Sequence, residues 1–377
     1  MKLFYLFNGR LPTEKAHGGQ IVHACSAFAE VGVEVTLVFP YRQNPIQENI
    51  YKFYGVPENF KVRHVRGLDA SRWLPGPVAF HIQNLVSAFW MIRSVRPYRN
   101  QADTLFYARD YASLRALAAH QFPFAAEIHD YRFSRPRAAI GRILSAAKII
   151  VANSAGTKEA LIKHYPHVAA KIRVVPNGVE PEFFAVPQTS EQAREKVSLL
   201  SDKKLVAYVG RLESAGTEKG IDVFLRALNE ISDPDIAGYV IGGPEELVKK
   251  YKAAYPKVIF VGQVSRKDIP LYLRALDIVV IPLADSRHAR TSSPIKLFEF
   301  FAAGKAIIAS RVPAVSDYAD EKSVVFFDPG SSSELAARIR ELAGDEKKRR
   351  MLEQHVLVLA QRHTWTARAR NILSHLS

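Results

Sequence analysis

The chain has 377 residues, 48% of them apolar and 24% charged, which excludes a disordered or fibrous protein and is long enough to predict two domains. Its one cysteine, Cys25, excludes an intrachain disulfide or a cysteine metal cluster; with a start, MKLFYLFNGRLP, that lacks the length and cleavage site of a signal peptide, it predicts a cytoplasmic protein. The formal charge of +15 is uneven, since residues 1–180 hold 23 Lys and Arg against 12 Asp and Glu, so the first half is either a plain solvated basic surface or faces something anionic: nucleic acid, an acidic membrane surface or a phosphorylated acceptor.

Apolar runs alternate with helical patterns from end to end, the grammar of βαβ units around a parallel sheet. Strands are expected near 2–7, 33–39, 61–65, 103–107, 124–128, 147–152 and 171–175. No window reaches the ~20 apolar residues of a membrane span. The longest candidate, 77–94, is interrupted by His81, Gln83, Asn84 and Arg93. The rhythm breaks after Gly178 in GVEPEFFAVPQTS, which carries two prolines and no strand period, and restarts with KLVAYVG, AGYVIGG, VIFVG, DIVVIPL, AIIAS and SVVFF. These runs predict two doubly wound α/β domains, 1–180 and 181–363, with a separate helical pattern over 364–377 that packs back on the first.

In such folds ligands sit beyond the carboxyl ends of the strands, where helix N-termini favour anions. After the first strand, NGRLPTEKAHGGQ opens a helix near Gln20, and Gly18 and Gly19 let a phosphate approach its start or merely serve turns. After KLVAYV, the loop GRLESAGTEKG is bracketed by Arg211 and Lys219, cations suited to a diphosphate or else two surface charges. After DIVVIPL, the polar loop ADSRHART leads to SPIKLFEFFAAG, read as a helix with Ser293 as N-cap, Pro294 at its first position and Gly304 as its stop. Ile295, Phe298 and Ala302 form its apolar stripe. Lys296 and Glu299 share the opposite face, either as a surface ion pair or with Glu299 accepting from ribose hydroxyls while Lys296 meets phosphate.

Taken together, GR-(loop)-KG at 210–220, PNGV at 176–179 and SPIKLFEFFAAGKAIIAS at 293–310 resemble the retaining glycosyltransferases of family 4. LPTEKAHGGQIVHACSAFAEVGVEVTLV and HTWTARARNIL extend the resemblance over nearly the whole chain. It implies the GT-B fold, two Rossmann-like domains facing each other across a cleft, with the donor on the second and the acceptor on the first. It further implies that Glu299, as the second glutamate of an E-x7-E motif, holds the donor ribose. Arg211 and Lys219 then grip the diphosphate and stabilise the leaving nucleotide. Gly18 and Gly19 become a loop closing on the donor, and His129 in AAEIHDYR becomes a contact to the transferred sugar. From the residues alone, His129 and Asp130 read equally as a core histidine and its neighbour.

The family pattern is broken at Thr291, which stands where the first glutamate belongs and supplies no carboxylate, so sugar recognition is altered there. Pro294 removes one backbone N–H from the donor site, and the loop between Arg211 and Lys219 is longer than the common form. The predicted activity is transfer of a hexose from a UDP- or GDP-sugar, a substrate in place of any cofactor and with no metal, to a lipid-linked or anionic glycan acceptor. Rival readings are a nucleotide-sugar epimerase of the same fold and a catalytically silent nucleotide-sugar-binding protein. Arg132, Arg135 and Arg137, continued by Arg142, assign an anionic acceptor or the inner face of a membrane to the first domain. Nucleic acid would require aromatic platforms or a reading helix as well, and although Tyr131 and Phe133 interleave the arginines, the stretch is short, which makes that reading a distant one.

Overall fold

The computed structural model describes residues 1–70, 75–129, 137–214, 217–218 and 220–376. The chain divides into two compact units, Met1–Gly178 with Trp365–Ser377, and Val179–Thr364.

The first unit is built on seven parallel strands, β1 (Lys2–Leu6), β2 (Glu34–Pro40), β3 (Lys61–Val65), β4 (Thr104–Ala108), β5 (Phe124–Ile128), β6 (Ile149–Ala152) and β7 (Ile172–Val174). Their order is β3-β2-β1-β4-β5-β6-β7, so the winding reverses between β1 and β4. Most of these strands are continuous apolar runs because a parallel sheet is covered on both faces. Helices α1 (Ala16–Glu30) and α2 (Ile50–Tyr54) cover one face, and α3 (Gly76–Val95), α4 (Tyr111–Ala119), α5 (Arg137–Ala146) and α6 (Ala155–His164) the other.

The second unit repeats the topology. Its strands β8 (Lys204–Val209), β11 (Ile236–Ile241), β12 (Ile259–Gly262), β13 (Ile278–Ile281), β14 (Ala306–Ser310) and β15 (Val325–Phe327) run in the order β12-β11-β8-β13-β14-β15, and the reversal lies between β8 and β13. A small hairpin, β9 (Glu213–Ser214) with β10 (Thr217–Glu218), interrupts the connection after β8. The helices are α7 (Ser190–Lys196), α8 (Ile221–Asn229), α9 (Glu245–Ala254), α10 (Ile269–Ala275), α11 (Arg287–Thr291), α12 (Ile295–Ala302), α13 (Pro313–Ser316), α14 (Ser332–Gly344) and α15 (Glu346–Ala360).

The last helix, α16 (Trp365–Ser374), belongs to the first unit and packs on α1. Its buried residues Trp365, Ala369 and Ile372 recur at helical spacing and enter the core with Tyr5, Phe28 and Tyr107. Arg368 lies in the same stripe, 4% exposed, where an arginine needs a partner inside the protein. It has two: its Nε donates to the Pro176 carbonyl at 2.9 Å, and its Nη2 stands 3.1 Å from Oε1 of Glu127 on β5.

Three local expectations are corrected. Helix α1 begins at Ala16, not near Gln20, so Gly18 and Gly19 fall within its first turns and not in a loop before it. A Cβ at Gly18 would lie 2.2 Å from the Tyr54 hydroxyl, which accepts from the Thr13 amide at 2.8 Å and donates to the Thr13 carbonyl at 2.9 Å; the first glycine thus makes room for this lock on the helix start. The polar stretch before α12 is partly helical, because Ser286 caps α11 by accepting from the Ala289 amide at 3.2 Å. Finally, α12 starts at Ile295: Pro294, not Ser293, holds the N-cap position, with an extended ψ of 103° and no side-chain cap of its own. Gly304 ends the segment as expected, with φ of +61°.

Replacing Arg368 with Met is expected to strand the Glu127 carboxylate and lower unfolding free energy in urea by about 3–5 kcal/mol. Met at exposed Arg370, on the same helix, is expected to change it by under about 0.5 kcal/mol. Equal losses at the two positions would contradict the assignment.

Candidate active site

In the second unit, the chemistry gathers where the winding reverses, at the carboxyl ends of β8 and β13. Gly220, at φ +72°, precedes α8, and a Cβ there would meet the Pro282 carbonyl oxygen at 1.7 Å; the loops after the two strands are pressed together. At the end of β8, Gly210 has φ +145°, and a Cβ on it would stand 2.0 Å from Lys296 Nζ. That space admits the ammonium, which donates to the Val209 carbonyl. Lys296 is therefore directed from α12 to the mouth of β8, beside Arg211, whose side chain is exposed and whose carbonyl accepts from the Tyr208 hydroxyl at 2.6 Å. Lys219 lies outside the described residues.

Helix α12 is buried on nearly all sides, from Leu297 through Ala302, so the expected split into an apolar stripe and a solvent face is corrected: Glu299 is only 4% exposed. Its Oε1 accepts from Arg266 Nη2 at 3.1 Å, and the same nitrogen donates to Oε1 of Glu180 at 2.5 Å. Arg266 follows β12 and Glu180 follows the PNGV segment, so two carboxylates from distant loops share one guanidinium. The Arg266 side chain is 61% exposed, so the burial that disfavours its charge is slight beside the pull of Glu299 and Glu180, which hold the guanidinium's pKa above its usual range. Thr291 is half-buried at the end of α11, with its hydroxyl donating to the Arg287 carbonyl at 3.1 Å. Ser293 is buried and bonds Tyr318, and Ile295 is half-buried at the helix start. Arg290 folds back on Asp285 through two bonds of 3.0 and 2.9 Å.

In the first unit, His129 follows β5. Glu127 alternates with Ala126, which is buried under the α3–α6 layer, and so points to the α1 and α16 side, 3% exposed, where it accepts from the Tyr107 hydroxyl and meets His129 Nε2 and Arg368. Burial alone would push this carboxyl up, yet Arg368, His129 and Arg109 together hold it well below the usual range. An ionised carboxylate only accepts, so Nε2 of His129 must carry the proton and Nδ1 is left as an acceptor. Burial and then Arg109 depress the His129 pKa to about 4 against the pull of Glu127, which keeps the ring neutral at physiological pH. His17, on the first turn of α1, is likewise lowered to about 4 by burial, Arg109 and Lys15. Arg109 follows β4 and donates to the Gln20 side chain at 2.7 Å, tying α1 to this edge. A Cβ at Gly19 would rest in ordinary contact with the Tyr54 ring, at 3.9 Å.

Arg137 is exposed at the start of α5, while Arg132 and Arg135 lie outside the described residues. Sequence reasoning missed Glu127, Arg368, Arg266 and Glu180. Only Glu127 carried a signal, a carboxylate inside the apolar strand FAAEI; the arginines announce nothing locally. Among the described residues, no three His, Cys, Asp or Glu are grouped so as to hold a metal.

Residues 20–183 match the family model described as Glycosyltransferase Family 4, and residues 203–345 that described as Glycosyl transferases group 1. The chain belongs to the family 4 glycosyltransferases. Among its relatives is the D-inositol 3-phosphate glycosyltransferase of Corynebacterium diphtheriae, 25% identical over 339 residues, which cover 85% of this chain and 73% of that one. The Bacillus subtilis glycosyltransferase TuaH, named for teichuronic acid biosynthesis, is 26% identical over 185 residues, 46% of this chain; the match spans only 43% of TuaH. The Anabaena protein HepE, solved with UDP, is 16% identical and superposes with a TM-score of 0.74, covering 100% of this chain and 99% of HepE. The fold of this glycosyltransferase is thus GT-B.

The depressed His129 pKa sets a pH dependence. Above about pH 6.5 the ring is neutral folded or unfolded; below it the unfolded chain binds a proton that the folded ring refuses until about pH 4, so stability falls through that window. His129→Gln is expected to flatten the loss between pH 6.5 and 4.5 by roughly 1 kcal/mol per pH unit in urea titrations. An unchanged slope would contradict a neutral His129.

Proposed function

We propose that this glycosyltransferase transfers a hexose from a UDP- or GDP-sugar, with retention, to a hydroxyl of a lipid-linked or anionic glycan precursor at the cytoplasmic face of a membrane. The observation that carries the reading is the convergence of Lys296 and Arg211 on the mouth of β8, where the winding reverses, with buried Glu299 deeper on the same helix. Two cations beside the start of α12 suit a diphosphate, whose charge rises as the sugar departs. Lys219 adds a third in this reading. Ser293 and Ile295 line the helix start, and Glu299 takes the ribose hydroxyls. HepE was solved with UDP, with UDP and glucose, and with UDP-glucose, which favours a UDP donor.

On the first unit, neutral His129 presents Nδ1 as an acceptor for a sugar hydroxyl, and the first turns of α1 close on the donor, Gly19 by its bare backbone and Gly18 by admitting the Tyr54 lock that fixes the helix start. Thr291, a hydroxyl in place of a carboxylate, weakens the hold on the sugar and broadens donor choice. In the chemical step the bond from the anomeric carbon to the diphosphate oxygen breaks, and the acceptor oxygen bonds the same face. The acceptor proton passes to the departing phosphate, so no enzyme nucleophile and no metal are required. The exposed Arg137 and its neighbours Arg132 and Arg135 draw the anionic acceptor.

A panel of UDP-, GDP- and ADP-sugars should show one donor class hydrolysed or transferred, UDP first, without added metal. Arg211→Met should lower turnover of that donor by about 100-fold while the fold is kept. Tight nucleotide binding with no sugar release from any donor would contradict the proposal.

A further inference from the structure

Eleven large apolar side chains are exposed among the described residues, and four of them, Val78, Phe80, Leu85 and Phe89, are on α3, at 48–60% exposure. The opposite layer of the same unit, α1, α2 and α16, exposes none. Val78, Leu85 and Phe89 stand at i, i+7 and i+11, one stripe along the outer side of the helix, with His81 and Arg93 flanking it. Half-buried Trp90 carries the Arg66 guanidinium 4.9 Å over its ring.

The charge on the α3–α5 part of this layer is one-sided, the exposed Glu159 lying beyond it on α6. Helix α3 packs on α4 and α4 on α5. Their sequences, with the short turn Arg96–Tyr98, contain Arg93, Arg96, Arg115, Arg137 and Arg142, all exposed, and no Asp or Glu. No helix among the described residues is long and apolar enough to cross a membrane. An apolar stripe that neither spans nor is covered, bordered by arginine and a Trp, matches a helix lying in the plane of a lipid interface.

We propose that α3, α4 and α5 form a docking face for an anionic lipid bilayer, with Val78, Leu85 and Phe89 entering the boundary between headgroups and acyl chains and the five arginines on lipid phosphates. The face adjoins the carboxyl edge of the sheet. Asn8, after β1, donates to the Asn84 carbonyl on α3 at 3.0 Å, and Arg42, after β2, donates to Asn8 at 2.8 Å and to Ser87 of α3 at 3.1 Å. The first half of α3 is thereby fixed to the edge that carries His129, and a lipid-linked acceptor would arrive beside it. This inference rests on the acceptor reading above for its purpose, but its test needs neither donor nor acceptor.

The test is sedimentation of the full chain with vesicles of equal parts phosphatidylglycerol and phosphatidylcholine, and with phosphatidylcholine alone, at low and high salt. Binding to the anionic vesicles at low salt is expected, at least about tenfold weaker in the Leu85→Gln/Phe89→Gln double variant, whose exposed positions leave the thermal midpoint unchanged. Arg115→Gln/Arg142→Gln should remove most of the salt-sensitive part. Binding equal on neutral vesicles, binding indifferent to the Leu85 and Phe89 changes, or no binding would overturn the proposal and leave donor turnover, measured separately, unaffected. So would a dimer, seen by ultracentrifugation, that the same double variant dissolves, because the stripe would then belong to a second copy.

Discussion

A carboxylate stays ionised inside a protein only if a cation reaches it there, and among its described residues this chain buries three acids, Glu127 paired with a buried arginine and Glu180 and Glu299 with an exposed one. Two arginines hold them. Arg368 reaches Glu127 from the helix at the far end of the chain, and Arg266 bridges Glu180 and Glu299 from the loop after β12. Buried ion pairs contribute little net stability compared with apolar residues of the same size. Both glutamate clusters lie at the carboxyl ends of parallel strands, whereas the Arg194–Asp277 pair stands at the amino end of β13, which indicates that the two clusters serve sites whose geometry matters more than their contribution to folding.

The two units use one topology for opposite electrostatics. At the mouth of β8 the ends of α12 and of the strand bring cations forward, with Lys296 seated where Gly210 lacks a side chain. At the end of β5 the charge is internal and cancelled: Glu127 is satisfied by Arg368, Tyr107 and His129, and what faces outward is a neutral imidazole. A phosphate-bearing leaving group suits the first environment, and uncharged sugar hydroxyls suit the second. Arg109, tied to Gln20, contributes to keeping both His129 and His17 unprotonated.

Strand positions were legible because parallel strands covered on both faces read as short apolar runs; β1, β5, β8 and β14 begin and end within a residue or so of the runs that predict them. The stop at Gly304 was legible for the same kind of local reason. Helix starts were less so. Serine followed by proline suggests a cap, but the extended Pro294 delays α12 to Ile295, and the Tyr54 lock on Thr13 moves the start of α1 to Ala16, a tertiary effect that no local pattern contains. The pairings of Glu299 with Arg266 and of Glu127 with Arg368 were out of reach because their partners lie in segments with no distinguishing local signal. The exposed stripe on α3 was hidden too, since an apolar run does not reveal which side faces water.

Whether Glu299 holds the ribose of a nucleotide-sugar donor is tested most directly by calorimetric binding of the preferred nucleoside diphosphate and its 2′,3′-dideoxy counterpart to the parent protein and to Glu299→Ala. With Glu299 on the ribose, the parent is expected to favour the ribose form by about tenfold or more, and the variant to lose this preference while binding the dideoxy form as the parent does. A preference that survives the loss of the carboxylate would contradict it.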